Sequence, residues 1–205
     1  DNSATIPHGL TQKPDFWALK STTRASTDWI VYTQQIDGSL DFGHFNSTEA
    51  FDNSSATAPT ATTFGVYGDD INYAGATQIA YLWHSVPGLQ KFGRFAGNGD
   101  SDGVYVELGF KPAILLIKND GDTGDWIIWD NERNKTNPVN RQIWPYTTSG
   151  TYGDYDQVGS NYPLDFLSNG FKIRTTDADM NSGSRNYIYA AWAEAPSVDL
   201  YGGGA

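Results

Sequence analysis

A repeated strand pattern spans most of this chain and constrains its fold more than any other feature. Asp28–Tyr32 reads Asp-Trp-Ile-Val-Tyr, and Asp125–Trp129, in the second half, reads Asp-Trp-Ile-Ile-Trp. Other matched residues follow in the same order: Gly9 and Gly109, Lys20 and Lys118, Gly75 and Gly183, Ile79 and Ile188, Trp83 and Trp192, and Pro87 and Pro196. Repeats of this kind indicate one structural unit per copy. The matches predict that the chain consists of two homologous halves.

Each half is a series of strand signals. Phe16–Leu19 and Ile114–Ile117 are short apolar runs bounded by proline and polar residues, as buried strands are. Tyr187–Trp192 is apolar enough for a helix, but its short length favours a strand. Turn signals such as Asp37-Gly38 and Asn169-Gly170 separate the runs, which is typical of a sandwich or barrel. The sequence therefore predicts an all-β fold, with little or no helix, in which the homologous halves form tandem or fused β-sandwich-like lobes.

The boundary between the halves is predicted near residue 90. Residues 1–90 form the first repeat, residues 91–197 the second, and residues 198–205 a flexible C-terminal exit. The second repeat opens with a strand that the first repeat lacks. We expect the resulting open sheet edge to lie beside Ile6, covered by an upstream segment, a neighbouring subunit or the C-terminal tail. The chain is then expected to be a piece of a longer polypeptide.

Charge and residue content exclude several function classes. The 205 residues include 24 acidic and 13 basic side chains, a formal net charge of -11, which opposes binding to a phosphate backbone. The sequence has no cysteine, so disulfides, Cys-ligated metals and thiol nucleophiles are excluded. No apolar run approaches the roughly 20 residues of a membrane span. We therefore expect no nucleic-acid partner and no membrane insertion.

Tryptophans recur at matched positions inside the strand signals of both halves. The pairs are Trp29 with Trp126 and Trp83 with Trp192. A position that keeps its tryptophan in both copies is expected to serve packing, so the four indoles are predicted to be buried core residues. Ligand binding by these rings is the alternative.

Signals for catalysis are few. The three histidines, His8, His44 and His84, fall in no metal-binding or nucleophile motif. We predict that the protein is not an enzyme and has no organic cofactor. Because carboxylates are numerous, a pair at glycosidase separation is kept as an alternative.

Calcium is the one ion that the sequence leaves open. Two acidic segments alternate oxygen-bearing residues as calcium loops do. They are Asp177/Asp179/Asn181 and Asn98/Asp100/Asp102. In the second of these, Glu107 comes too early to supply the twelfth-position ligand of a calcium loop. The alternative is that both segments are solvent-facing turns.

The segment 141–165 is the predicted binding surface. It interleaves aromatic rings with Gly, Ser, Thr and Asp, whereas the matching stretch of the first half has Phe but no Trp or Tyr. A sugar has an apolar face rimmed by hydroxyls, which flat rings and short polar groups bind at small entropic cost. The predicted ligand-binding residues are Trp144, Tyr146, Tyr152, Asp154, Tyr155 and Tyr162. The alternative is that this loop folds its rings onto the sandwich.

Several motifs carry a resemblance to a known family. They lie at Gly109–Lys118, Asp125–Trp129, Phe166–Arg174 and Tyr187–Pro196, with a related junction at Lys91–Gly99. In these motifs the chain resembles a duplicated β domain of bacteriophage tail-fibre and minor tail proteins, many of them marine, a family of unknown function. The resemblance covers nearly the whole chain. It implies a virion-surface, extracellular location and a role in adhesion, and it implies no catalytic residues.

The expected function is a non-catalytic tail-fibre adhesin module. Its expected partners are a host-cell surface glycan or other receptor and the other virion subunits, with a homo-oligomer in the assembled particle. Two alternatives stay open. One is a structural decoration or fibre domain that contacts only neighbouring subunits, and the other is a glycan-degrading enzyme.

Overall fold

The regular secondary structure of the described residues consists of β-strands. The computed structural model describes residues 3–145 and 162–194, and these contain fifteen strands and no helix. In chain order the strands are β1 Ser3–Pro7, β2 Phe16–Ser21, β3 Ile30–Thr33, β4 Asp41–His44, β5 Asp52–Asn53, β6 Thr63–Tyr67, β7 Gln78–Trp83, β8 Gln90–Ala96, β9 Tyr105–Glu107, β10 Pro112–Asn119, β11 Ile127–Asp130, β12 Gln142–Ile143, β13 Leu164–Leu167, β14 Gly170–Ile173 and β15 Asn186–Ala193. The prediction of an all-β fold is confirmed.

The strands form four antiparallel sheets. The first-half sheet has the order β5-β4-β3-β2-β7, and the second-half sheet has the order β12-β11-β10-β15-β8. A two-stranded sheet pairs β1 with β6, and a three-stranded sheet has the order β13-β14-β9. The run β4-β3-β2-β7 therefore matches β12-β11-β10-β15, in agreement with the predicted repeat. A common origin of the two halves stays a prediction.

Three apolar cores hold the sheets together. One lies between the first-half sheet and the two-stranded sheet, where Trp17 packs edge-on against Phe64. A second lies between the second-half sheet and the three-stranded sheet and includes Phe171. The third joins the two five-stranded sheets to each other, with Phe16 stacked on Phe92 at 5.7 Å. The two halves are therefore fused face to face rather than strung out as separate lobes.

β2 and β10 each contain a run of four apolar residues, Phe16–Leu19 and Ile114–Ile117, because both faces of each strand pack against other sheets. In β2, Trp17 and Leu19 face the two-stranded sheet, and Phe16 faces the second-half sheet. In β10, Leu115 faces the three-stranded sheet, and Leu116 faces the first-half sheet. Since successive side chains point to opposite faces, the residues of these runs alternate between two apolar cores.

The expected open edge beside Ile6 is present, because β1 has a partner strand on one side only among the described residues, and the structure shows a further unpaired edge at β7. Ile6 lies in β1 and pairs with Phe64 in β6. In the second-half sheet, β8 pairs with the outer side of β15. The corresponding outer side of β7 has no partner strand among residues 3–145 and 162–194. Between the two five-stranded sheets, β8 is the strand that the second half has and the first half lacks.

Candidate functional site

An aromatic groove lies between the first-half sheet and the second-half sheet. Its volume is about 550 Å³, which is in the range of small-molecule binding sites. Strands β2, β3 and β7 supply most of one wall, and β10, β11 and β15 supply most of the other. The lining is almost entirely apolar and consists of Phe16, Ala18, Trp29, Val31, Phe45, Asn46, Tyr81, Trp83, Ile114, Leu116, Ile128, Pro145 and Trp192.

Three stacked rings form an aromatic ladder along the groove. Trp29 stacks on Tyr81 with ring centroids 6.2 Å apart, and Tyr81 stacks on Trp83 at 6.1 Å. Tyr81 and Trp83 are two residues apart in β7, so their side chains lie on the same face of the sheet. Trp192, from the second-half sheet, meets Trp83 edge-on at 5.7 Å. The aromatic surface therefore continues from one half of the protein to the other.

The ladder is accessible because β7 is the last strand of its sheet. Tyr81 is 44% exposed, and Ile114, on the opposite wall, is 43% exposed. Trp29 and Trp83 are half-buried. Exposed large aromatic rings that lie next to one another are uncommon on a protein surface and mark a candidate contact site.

The prediction that all four tryptophans are buried core residues is confirmed for Trp126, whereas Trp83 and Trp192 pack against the core between the five-stranded sheets but are only partly buried, as is Trp29. Trp126 is 1% exposed, because Phe45 and Phe51 of the first half pack edge-on against it. Its indole N–H donates to the backbone carbonyl of His44 at 2.9 Å. The other three indoles line the groove and are half-buried. Matched positions in the two halves thus have different surroundings, because each half is packed against the other.

Asn46 fixes the first ring of the ladder. Its side-chain oxygen accepts the backbone N–H of Trp29 at 2.8 Å, and its side-chain nitrogen donates to the Asp28 carboxylate at 2.7 Å. The backbone N–H of Phe45 donates to the carbonyl of Trp29 at 2.9 Å. These bonds hold the backbone beside the ring, so the ladder is preorganised for a flat apolar partner.

The groove carries no acid–base pair within the described part of the chain. Its lining there includes no Asp, Glu, His, Lys or Arg. General acid–base catalysis needs such a group within hydrogen-bond reach of the reacting atoms. The chemistry that this lining supports is stacking and apolar contact.

Two of the predicted ligand-binding residues lie in the described residues, and neither lines the groove. Trp144 and Tyr162 pack against the second-half core and meet edge-on at 5.8 Å. The carbonyl of Tyr162 accepts the indole N–H of Trp129 at 3.2 Å. Tyr146, Tyr152, Asp154 and Tyr155 lie outside the described residues. Pro145, which lies in the segment 141–165 directly before Tyr146, does line the groove.

Tyr81 is the groove residue that the sequence analysis missed. The signal was present in the repeat, because Tyr81 stands where the second half has Ala190 between the matched residues Ile188 and Trp192. Ala190 is 1% exposed in the core between the two five-stranded sheets. The matched position thus carries a large, exposed aromatic ring in the first half and a small, buried residue in the second.

Comparison with known proteins identifies the family. The model of a domain of unknown function, DUF7483, matches residues 1–196. The chain belongs to the DUF7483 family. Neither a curated protein nor a solved structure matches the chain. In the described residues of this DUF7483 protein, no helix has the length and apolar character to cross a membrane.

One predicted calcium segment of the DUF7483 chain joins the other through a buried asparagine. The side chain of Asn181 is fully buried and accepts the backbone N–H of Asn98 at 3.0 Å. Its amide nitrogen donates to the Asn98 side-chain oxygen and to the carbonyls of Asp100 and Thr175, each at 2.8 Å. The carboxamide therefore links the two turns. Within residues 3–145 and 162–194, no group of three or more His, Cys, Asp or Glu side chains is arranged to hold a metal ion.

The carboxylates near these turns face a buried ammonium. Lys118, the residue matched to Lys20, is 0% exposed, and its Nζ lies 3.4 Å from the carbonyl of Thr48. Burial lowers the pKa of Lys118 to about 8, and Asp179 and Asp125 oppose that decrease. In the structure, these carboxylates therefore interact with the positive charge of the Lys118 side chain.

Asp41 is a buried carboxyl at the contact between the halves of the DUF7483 fold. It is 5% exposed, and its Oδ2 has no hydrogen-bond partner among the described residues. Burial, together with the charges of Asp37 and Asp120, raises the pKa of Asp41 to about 6, and Arg94 opposes the increase. The folded protein therefore favours the protonated form of this carboxyl.

Asp41 is expected to make the protein less stable as the pH rises from about 4 to about 6. The folded state binds the proton more tightly than the unfolded state, whose pKa is the ordinary 3.8, so this stabilisation is complete at low pH and is lost through the folded pKa. Relative to wild type, Asp41→Asn should gain about 2 kcal/mol of stability between about pH 4 and pH 7. Thermal unfolding of both proteins across this range measures the gain, and a constant difference would contradict it.

Proposed function

We propose that this protein is a non-catalytic adhesin module of a tail fibre or other virion-surface protein, and that it contacts host-surface glycans. The observation that carries the proposal is the aromatic ladder of Trp29, Tyr81 and Trp83, half-exposed along a groove of about 550 Å³. The resemblance of the second half to phage tail-fibre domains supports the virion location. The groove is the proposed main binding surface, and a contribution from the segment 141–165 stays a prediction.

The chemistry of the ladder suits a sugar chain. A pyranose ring has a face of C–H groups that stacks on an aromatic ring, and the ladder offers three such rings in one row. Because Tyr81 lies between two indoles and Trp29 is held through Asn46, little side-chain entropy is lost on binding. The tyrosine hydroxyl and the indole N–H groups are short polar groups of the kind that pair with sugar hydroxyls.

The proposal is non-catalytic because the groove lining lacks the groups that cleave glycans. Glycosidases use two carboxyl groups on either side of the scissile bond. No carboxylate is among the described residues that line the groove. Release of reducing sugar from a polysaccharide that binds in the groove would favour the enzyme alternative.

Tyr81→Ala is expected to weaken glycan binding about tenfold or more, because it removes the middle ring of the ladder. The measurement is binding to an array of bacterial and algal surface glycans, followed by titration with the best ligand. Tyr105→Ala is the matched control, since Tyr105 is 45% exposed in β9, outside the groove, and Tyr81 is 44% exposed.

Trp29→Ala gives an independent test of the same site, because Trp29 is not part of β7. It should weaken binding to the same glycan while the melting temperature stays well above the assay temperature. If wild type and the groove variants bind every glycan equally, or if wild type binds none, the adhesin proposal is wrong.

A structural role is the second candidate function. It is favoured by the apolar lining, which fits a neighbouring protein surface as well as a sugar face. In that case the protein would bind no glycan, and Tyr81→Ala would reduce its incorporation into assembled particles. The two candidates therefore differ in both measurements.

A further inference from the structure

The outer side of β7 differs from its counterpart in the second-half sheet. There, β15 pairs with β10 on one side and with β8 on the other. The pairing with β8 has seven residue pairs and runs from Asn186 opposite Ala96 to Trp192 opposite Gln90. In the first-half sheet, β7 pairs with β2, from Gln78 opposite Ser21 to Trp83 opposite Phe16. Among the described residues no strand lies on its other side.

The backbone groups that face this edge follow from the pairing. The N–H of Thr22 donates to the carbonyl of Thr77, so Thr77 directs its backbone groups toward β2. Because the direction alternates along an antiparallel strand, Gln78, Ala80 and Leu82 direct theirs outward. The second half shows the same direction. Ala193 of β15 matches the set Gln78, Ala80 and Leu82 of β7 in the alternation, and its N–H donates to the carbonyl of Leu89, directly before β8.

The missing neighbour leaves apolar side chains exposed. Ile79 is 38% exposed and Tyr81 is 44% exposed, whereas their counterparts Ile188 and Ala190 are 3% and 1% exposed. Both polar atoms of the Gln78 side chain are buried and have no hydrogen-bond partner within the described part of the chain. A buried amide of this kind is costly unless a partner supplies a donor and an acceptor.

β7 also lacks the features that protect exposed sheet edges. Natural edges usually carry lysine, proline, a bulge or a short strand. β7 reads Gln-Ile-Ala-Tyr-Leu-Trp, six residues with no charge, proline or glycine. The outer edge of β8, the other long edge, carries Lys91, Gly93 and Arg94. Within the two five-stranded sheets, the long unprotected edge therefore lies at the position where the second half has an added strand.

We propose that the β7 edge binds an antiparallel strand donated by a separate polypeptide, in the place that β8 occupies beside β15. The register of β8 defines the chemistry of this strand. It would place an aromatic residue opposite Tyr81 and a small residue opposite Ala80, as Phe92 and Gly93 of β8 do. Opposite Gln78, where β8 has Phe95, the unpaired amide calls for a hydrogen-bonding side chain instead. Backbone hydrogen bonds would supply affinity, and these alternate side chains would supply specificity.

Charge and pairing favour this occupant over a second copy of the chain. The formal net charge of -11 favours a basic segment such as β8, which contains Lys91 and Arg94. The β8 strand of a second copy is already paired with its own β15. Donation of that strand would expose a second edge, so no pairing would be gained. The proposed contact serves assembly and does not depend on glycan binding in the groove.

The probe is a synthetic peptide with the sequence of residues 88–98 in which threonine replaces Phe95, so that a hydroxyl meets Gln78. Labelled peptide should bind the intact protein, as measured by fluorescence anisotropy. The backbone amides of Gln78, Ala80 and Leu82 should become protected from hydrogen exchange in the complex, because they would bond to the added strand.

Two N-methylated peptides form a matched pair. In β8 the residues that bond to β15 are Lys91, Gly93 and Phe95, so N-methylation at Lys91 and Gly93 should weaken binding about tenfold or more. N-methylation at Phe92 and Arg94 leaves the ladder bonds in place and should change binding little. Equal binding of the two peptides would overturn the proposal, as would no binding of the parent peptide.

Ala80→Pro tests the protein side of the contact. In the wild type the backbone N–H of Ala80 points away from β2. Proline at this position therefore removes no hydrogen bond to β2 and is compatible with an edge strand. The variant should keep its fold and lose peptide binding. If it does not fold, the N-methylated pair decides. A wild-type protein that already forms a dimer with the same three amides protected would also overturn the proposal, because a second copy would be the occupant.

Discussion

Replacement of Trp126 by alanine is expected to lower the free energy of unfolding by about 4 kcal/mol. The indole belongs to the second half but is covered by the first. Its ring packs against Phe45 at 5.1 Å, Phe51 at 5.7 Å and Phe16 at 6.5 Å. Its N–H donates to the carbonyl of His44 at 2.9 Å. The substitution would leave a cavity and an unpaired carbonyl at the contact that joins the halves.

Trp29→Ala is the matched control for this experiment, because it removes the same side chain at the matched position of the other half. Trp29 is half-buried at the groove wall. Its loss is expected to cost about 2 kcal/mol, since the groove is already solvated and little new cavity forms. Urea unfolding of both variants measures the two costs. Equal costs would contradict the asymmetric burial of the two indoles.

Asn181→Ala is expected to lower the free energy of unfolding by about 3 kcal/mol. The buried carboxamide makes four hydrogen bonds across two turns, to Asn98 through both of its polar atoms and to the carbonyls of Asp100 and Thr175. Its removal leaves a backbone N–H and three oxygens without their partner. Asn169→Ala is the control, because Asn169 makes an exposed side-chain bond to Glu107 at 3.0 Å and should cost about 0.5 kcal/mol or less.

Asn181→Asp separates the linking role from a calcium role. A carboxylate at this position would face three oxygen atoms that now accept hydrogen bonds from the amide, so the variant should melt lower at neutral pH and recover as the pH falls. Added calcium should leave the melting temperature of the wild type unchanged. A rise in melting temperature with calcium would show that these turns form a cation site instead.

Local sequence patterns were sufficient to predict the strands. Phe16–Leu19 falls in β2 and Ile114–Ile117 in β10, because a run of four apolar residues between prolines and turns can be satisfied by a strand buried on both faces. Tyr187–Trp192 falls in β15, as its length indicated. These predictions depend only on residues that are adjacent in the chain, so a single sequence is enough to make them.

The candidate site depended on contacts between the halves, which the strand patterns do not encode. The repeat made Trp29 and Trp126 look equivalent, but Phe45 and Phe51 cover only Trp126. Tyr81 belongs to none of the predicted site motifs. It is exposed in the groove because β7 is the last strand of its sheet and one side of the strand is uncovered among the described residues.

The sequence by itself determined the fold class and the strand positions, since alternation, turn residues and proline act over a few neighbouring residues. The tertiary structure alone decided which tryptophans are buried, where the groove opens and which edge stays unpaired. Those outcomes follow from the way two similar halves pack face to face, with β8 added to only one of them. Residues at matched positions of the two halves acquire different surroundings because the packing between the halves is not symmetric.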